Sequence, residues 1–171
     1  LTVCIIGVLL TLFNVGIYWW DRKNARVSDS VGEHEYPPID QLSVEQAKRN
    51  ALKILQQYGE ARRRELPHAL FSRLHPGTSE VLTKYQRLTF DLVTYDLDVC
   101  SDQLRYDESG ERLCIGHDGG GFPIYVALQT NDPKIYIHEG ESFFPVMCPT
   151  IFHYIMRAKD MDDAAEGRPS E

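Results

Sequence analysis

The longest apolar run of the chain extends from Val3 to Trp20, and few polar residues interrupt it. Its length is close to the lower limit of about 17–25 residues for a helix that spans a bilayer. The run ends in the aromatic residues Tyr18–Trp20, which are typical of a membrane interface. Three cations follow it: Arg22, Lys23 and Arg26.

This pattern predicts a transmembrane anchor over residues 1–26, with lipid contact through Val3–Trp20. We therefore expect a single-pass membrane protein. Because the cations follow the span, the rest of the chain is expected to face the cytoplasm. A cleaved signal peptide is the alternative. It is disfavoured because no basic region precedes the run and no small-residue cleavage site precedes the charged flank.

Residues 27–41 are poor in apolar residues and rich in turn formers, so they predict a linker. A helix then begins at Ser43, which forms a capping box with Gln46 three residues later. Its apolar residues recur at helical spacing: Val44, Ala47, Ala51, Ile54, Leu55 and Tyr58. Gly59 is expected to weaken this helix without ending it, and the basic run Arg62–Arg64 is expected to be a solvated helix end or a lipid contact.

The pattern after this helix is mixed. Pro67 is expected to open a short helix that the His75–Gly77 segment ends, and Thr78–Arg87 is undecided between a helical turn and a loop. Alternation then predicts strand structure from Leu88 onwards, with a bulge or break near Val93.

The second half of the chain favours strands. A hairpin turn is predicted at residues 107–110, and Phe122–Leu128 is apolar enough for a strand buried on both faces. Lys134–His138 alternates, and Thr150–Lys159 carries apolar residues at helical spacing. We therefore predict an α+β domain at residues 42–160, with helices on a mostly antiparallel sheet, a closing C-terminal helix and a disordered acidic tail at 161–171.

The order of three segments resembles the SUKH superfamily, the SMI1/KNR4-like proteins. The segments are Ile115–Gly121 with its glycine triplet, Ile135–Glu139, and the closing helix at Thr150–Met156. The resemblance covers about residues 112–157. It implies a non-enzymatic binding protein without a cofactor, and many such proteins are immunity proteins that neutralise a polymorphic toxin by covering it.

The function expected from the anchor and this resemblance is a membrane-anchored protein-binding module of the immunity type. A small structural or assembly subunit of a larger membrane complex is the alternative, because it would explain the anchor. The chain carries a formal charge of −7, of which residues 1–26 contribute +2 and residues 27–171 contribute −9. So acidic a domain disfavours nucleic acid and suits a basic protein partner.

Ten residues are candidates for the partner surface, because they lie in or beside predicted strands and the loops that follow them. They are Asp91, Asp96, Asp98, Asp102, His117, Asp118, His138, Glu139, Phe143 and Phe144.

Three kinds of chemical site are weaker alternatives. Gly119–Gly121 is a candidate phosphate loop, but no lysine or helix follows it, so a turn between strands is favoured. The two His–acid pairs, His117-Asp118 and His138-Glu139, are candidates for metal binding or proton transfer. Cys148 near His153 is a candidate nucleophile, although its apolar context favours a packed thiol. Cys4 lies in the apolar run of the predicted anchor, and Cys100, Cys114 and Cys148 are expected to be buried free thiols.

Overall fold

The computed structural model describes residues 39–63, 65, 68–99, 104–108, 110–138 and 144–167. The predicted anchor and nearly all of the predicted linker lie outside these residues. Within the described ranges, no helix has both the length and the apolar character that a bilayer crossing requires.

In the described chain, most of the helices come first, a run of seven strands follows, and one helix comes last. A short 3₁₀ helix, Ile39–Gln41, comes before the helices α1 (Val44–Tyr58), α2 (His68–Phe71), α3 (Pro76–Lys84) and α4 (Ile151–Ala165). The strands are β1 (Gly59–Ala61), β2 (Tyr85–Thr89), β3 (Thr94–Asp96), β4 (Leu104–Asp107), β5 (Gly110–His117), β6 (Pro123–Ala127), β7 (Ile135–Ile137) and β8 (Val146–Cys148).

All described strand pairs are antiparallel, in the order β1-β2-β3-β5-β6-β7-β8, and β4 pairs with the first half of β5. Alternate residues of β5 and β6 enter different clusters. Leu113 and Ile124 pack with the helices in the main core, whereas Cys114 and Tyr125 belong to a second cluster that contains no helical residue. The helices therefore cover one face of the sheet. We call the opposite face the helix-free face, since no described helix packs on it.

The predicted class is confirmed: the described domain is α+β, with an antiparallel sheet and a closing C-terminal helix. The predicted strand at Phe122–Leu128 is also confirmed over β6, whose residues Ile124 to Ala127 are buried on both faces. The alternation of β7 holds as well, because Ile135 packs in the main core and Tyr136 in the second cluster.

The first helix begins as predicted and ends earlier than predicted. Ser43 caps it, with the reciprocal capping box from Gln46. The expectation that Gly59 leaves the helix intact is wrong, because the helix ends at Tyr58 and Gly59 starts β1. A β-carbon at Gly59 would lie 2.4 Å from the carbonyl oxygen of Leu55 and 2.6 Å from the ring of Tyr85, so only glycine permits this close strand contact.

The proline at position 76 starts a helix instead of ending one. Pro76 occupies the first turn of α3, where its missing N–H group needs no partner. His75 is the N-cap, and its Nδ1 accepts a hydrogen bond of 3.2 Å from the backbone of Gly77. The undecided segment that follows is thus helical as far as Lys84.

The first residues of the predicted disordered tail are helical. Helix α4 continues through Met161 to Ala165, although its last residues are acidic and small. The reason is a contact distant in sequence: Oδ1 of Asp162 accepts hydrogen bonds of 3.2 Å from the backbone N–H groups of Leu92 and Val93. These residues form the β2–β3 turn, which is the break predicted near Val93.

Candidate functional site

A row of polar side chains crosses the helix-free face of the sheet. The strand registers place Glu60 opposite Arg87, and Arg87 opposite Asp96. Asp96 in turn lies opposite His117. Residues that lie directly opposite each other on neighbouring strands point to the same face, so these four side chains form one row.

His138 lies on the same face, just beyond the end of β7. Its ring centroid is 6.0 Å from that of Tyr125 and 4.9 Å from that of Phe144, and both partners belong to the second cluster. We define the polar row as Glu60, Arg87, Asp96, His117 and His138.

A β-bulge in β5 directs His117 to this face. Cys114 pairs with Tyr125 while Gly116 pairs with Ile124, so an extra residue enters β5 between them. Without the bulge, strict alternation would turn His117 toward the helices. Gly116 adopts φ of +143°, and a β-carbon there would lie 1.9 Å from the carbonyl oxygen of Asp96. The bulge and the close approach of β3 thus both require glycine.

Ion pairs connect the first three members of the polar row. Nε of Arg87 donates to Oδ1 of Asp96 at 2.9 Å, and its Nη1 lies 3.5 Å from Oε2 of Glu60. Arg63 also pairs with Glu60, at 3.2 Å. These side chains are partly exposed, so the pairs contribute little to stability and mainly fix the positions of the charges.

Arg62 holds the neighbouring edge of the sheet together. Its guanidinium donates to the carbonyl oxygens of Leu82, Tyr85 and Leu97, at 2.5, 3.1 and 2.6 Å. Nη1 also pairs with Asp98 at 3.1 Å, and the Arg62 side chain is only 4% exposed. The expected solvated helix end is therefore wrong for this residue, which follows β1 and is buried.

The ten predicted site residues separate into several regions. Asp96, His117 and His138 lie in the polar row. Asp98 pairs with Arg62, and Phe144 belongs to the second cluster. Asp91 lies in the β2–β3 turn and Asp118 in the loop after β5, whereas Asp102, Glu139 and Phe143 lie outside the described residues.

Since Asp96 and Asp98 each pair with an arginine, the surface around them is charge-balanced and not uniformly acidic. Sequence reasoning missed Glu60, Arg62 and Arg87 as members of this surface. The sequence did not predict strand β1, because the composition of this segment favours a continuation of the preceding helix. The arginines therefore had no recognisable partners in the sequence.

The glycine loop between β5 and β6 is built around Asp118. Its Oδ1 accepts hydrogen bonds from the backbone N–H groups of Gly120 and Phe122, at 2.9 and 2.8 Å. Its own carbonyl accepts from Gly121 N–H at 2.9 Å. Because Asp118 uses three of the N–H groups that a phosphate would need, these contacts favour the turn interpretation.

Burial raises the pKa of the Asp118 carboxyl, against the opposing effect of its backbone hydrogen bonds and of His117. Nearby, burial raises the pKa of Tyr95 to about 12, and the charges of Asp118 and Asp162 add to this effect. A raised pKa means that the charged form of Asp118 is disfavoured in the folded protein. Its contribution to stability is therefore largest below the ordinary aspartate pKa of about 4 and is lost as pH rises through the folded pKa.

We expect Asp118→Asn to raise the melting temperature at pH 7, because an amide oxygen still accepts both hydrogen bonds and carries no buried charge. The difference from the native chain should shrink as pH falls toward 4. Asp118→Ala should instead lower stability by about 1–3 kcal/mol at either pH, since two N–H groups lose their acceptor. Thermal unfolding followed by circular dichroism at several pH values measures both. A destabilised Asn variant at pH 7 would show that the carboxylate charge strengthens the loop.

The chemical alternatives gain little from the described geometry. Cys148 is fully buried, and burial raises the pKa of its thiol to about 12, so a packed thiol is favoured over a nucleophile. Both ring nitrogens of His153 are used elsewhere: Nδ1 lies 2.7 Å from Oγ1 of Thr150, and Nε2 lies 3.1 Å from the carbonyl oxygen of Leu42. Cys114 is likewise a buried free thiol, as predicted.

The histidines of the polar row do not gather metal ligands among the described residues. Candidate ligand atoms converge within that part of the chain only at Asp162, Asp163 and Glu166. Asp162 already accepts the two N–H groups of the β2–β3 turn, and Asp163 pairs with Lys159. This acidic group therefore has a structural explanation.

The polar row borders a shallow hollow lined by Gln86, Arg87, Asp96 and Asp98, with a volume of about 190 Å³. Pockets for small molecules are usually about 300–1,000 Å³ and mostly apolar. The hollow is smaller and its lining is polar, so its form suits the side chains of a macromolecular partner better than a small substrate.

Comparison of the chain with protein-family models, with curated proteins and with solved structures gives no match. The resemblance to the SUKH superfamily therefore stays a prediction. What the protein does has to be argued from the surface described above.

Proposed function

We propose that this chain is a membrane-anchored protein-binding module that neutralises a protein partner by direct contact, in the manner of an immunity protein against a polymorphic toxin. One observation carries the proposal: among the described residues, helices cover only one face of the sheet, and the polar row lies on the opposite face. The register of four described strands, β1, β2, β3 and β5, fixes the positions of Glu60, Arg87, Asp96 and His117 relative to one another.

The sequence of charges in the row supports specific recognition. It reads acidic at Glu60, basic at Arg87 and acidic at Asp96, with a titratable ring next at His117. A complementary partner matches such a pattern, while a like-charged one is rejected at a cost of several kcal/mol. The rings of Tyr125 and Phe144 beside His138 are buried, so they hold the His138 ring in position at the end of the row.

A charge swap tests the proposal with little disturbance of the fold. Arg87→Asp combined with Asp96→Arg keeps the ion pair between β2 and β3 and exchanges the two charges that a partner meets, while the longer contact of Arg87 with Glu60 is lost. We expect the melting temperature to change little and partner binding to fall by about tenfold or more, since like charges then face each other. A tenfold change corresponds to about 1.4 kcal/mol.

The measurement uses the full chain in its native membranes, with a photo-cross-linking residue at His117. The matched control places the same residue at Val44, which is exposed on the helical side of the domain. We expect one discrete protein adduct from position 117, its loss in the charge-swap variant, and no such adduct from position 44. Equal adducts from both positions, or an adduct that the swap leaves unchanged, would contradict the proposal.

The identity of the cross-linked protein distinguishes the immunity function from the alternative, a structural or assembly subunit. A toxin supports the immunity function, and a stable membrane complex supports a structural or assembly subunit. The second function is favoured by the apolar run Val3–Trp20, because an assembly subunit needs a membrane anchor. In both cases the anchor and the cytoplasmic placement of the domain are part of the proposal, and carbonate extraction of the full chain tests the anchor.

A further inference from the structure

Three segments meet at one end of the domain. The β2–β3 turn is held from one side by Asp162, which accepts the N–H groups of Leu92 and Val93. On the other side the glycine loop packs against it, since a β-carbon at Gly119 would lie 2.4 Å from Cγ1 of Val93. We call this region the loop end and define it by residues 90–93, 118–122 and 158–166.

The loop end exposes large apolar side chains. Leu92 is 58% exposed, Phe122 55% and Met161 52%, one from each of the three segments. Within the described part of the chain, the other large apolar side chains with comparable exposure are Val44 and Val146, which lie outside these segments. A concentration of exposed apolar groups within one region marks a site of interaction.

The same region concentrates negative charge. Its described carboxylates are Asp91, Asp118, Asp160, Asp162, Asp163 and Glu166. Its described lysine is Lys159, which pairs with Asp163, so the charged side chains sum to −5. The acids near the polar row are balanced by arginines, as described above. The negative potential of the described domain is therefore directed to the loop end.

We propose that the loop end binds a partner segment whose apolar side chains are flanked by lysine or arginine. This inference rests on the proposed protein-binding function and names the chemistry of one of its contacts. The apolar side chains provide the contact area, and the surrounding carboxylates attract the flanking cations. An anionic membrane surface carries the wrong charge for this region.

The loop end lies at one end of helix α1. The carbonyl of Leu42, just before α1, contacts His153 near the start of α4, whereas Lys159 lies over the ring of Tyr58 at the other end of α1. Helix α1 is thus about 22 Å long between these contacts. The loop end lies at the far end of this helix from Ile39, where the described chain begins.

The test uses the full chain in phosphatidylcholine nanodiscs with two synthetic amphipathic peptides of the same pattern, one of leucine and lysine and one of leucine and glutamate. A benzophenone cross-linking residue replaces Phe122, or Val146 as the matched exposed apolar control. We expect the Leu/Lys peptide to cross-link about tenfold more at 122 than at 146, with a yield that falls at high salt, and the Leu/Glu peptide to give background at both.

A second variant separates apolar contact from charge alone. Leu92→Ser combined with Met161→Ser should reduce the cross-linking from position 122 severalfold, while Val44→Ser should leave it unchanged. Equal yields at positions 122 and 146, equal yields for the two peptides, or no effect of the double variant would each overturn the inference. If the native partner still cross-links at His117 in that case, the loop-end inference fails alone and the proposed function stands.

Discussion

Gly116→Ala is expected to destabilise the domain by about 3 kcal/mol or more. This loss is larger than the one we expect for Gly121→Ala. Two costs combine. The backbone at Gly116 has φ of +143°, a conformation that side chains with a β-carbon rarely adopt, and the new methyl group would lie 1.9 Å from the carbonyl oxygen of Asp96. Backbone strain costs about 1–3 kcal/mol, and overpacking costs a similar amount.

Gly121→Ala is the matched control. Gly121 also has a positive φ, +81°, but no atom lies within 4 Å of the position that a β-carbon would take. Only the strain remains, so we expect a loss of about 1 kcal/mol. Urea unfolding followed by circular dichroism measures both variants. Similar losses at the two positions would mean that β3 moves away from β5 without cost, and the contact with Asp96 would then not fix the bulge.

Arg62→Ala is expected to produce the second large loss, again about 3 kcal/mol or more. The substitution removes four hydrogen bonds and leaves the carbonyls of Leu82, Tyr85 and Leu97 without this donor in a part-buried site. Each buried acceptor that loses its donor costs about 1–3 kcal/mol. Arg62→Lys should be more stable than Arg62→Ala but less stable than the native chain, because one ammonium group cannot reproduce the planar, multidentate contacts of a guanidinium.

The neighbouring Arg63 provides the control in the same segment. Its side chain is 83% exposed and pairs with Glu60, so Arg63→Ala should change the free energy of unfolding by less than about 0.5 kcal/mol. The melting temperature should therefore be highest for Arg63→Ala, lower for Arg62→Lys and lowest for Arg62→Ala. If both alanine variants behave alike, the carbonyls around Arg62 have other donors and the arginine does not hold the sheet edge.

Local signals in the sequence were sufficient for the elements that depend on neighbouring residues. The capping box at Ser43 and the apolar face of α1 are both readable within a few residues, and so is the N-cap of α4 at Thr150. Val44 is the exception on that face, because it is 48% exposed. The same holds for β6 and β7, whose residues are apolar or alternate strictly. For the candidate surface, the sequence identified Asp96, His117 and His138 as polar groups at strand positions or strand ends.

The errors occur where a distant contact decides the structure. Helix α4 continues past Met161 because Asp162 caps a turn about seventy residues away, a partner that no local pattern reveals. Strand β1 forms because Glu60 and Ala61 pair with residues of β2, although their own composition favours a continuation of the helix. Pro76 starts a helix because the preceding chain turns there, and proline is compatible with either outcome.

The amino-acid sequence by itself determined the α+β class and the closing helix, because periodicity and capping are local properties. The tertiary structure alone decided which charges face each other. Strand order and the bulge at Gly116 bring Glu60, Arg87, Asp96 and His117 into one row, and they leave Asp98 paired with a buried Arg62. Pairing across a sheet joins residues that are far apart in the chain, so neither the balance of charge in the row nor the concentration of acids at the loop end is visible in the order of residues.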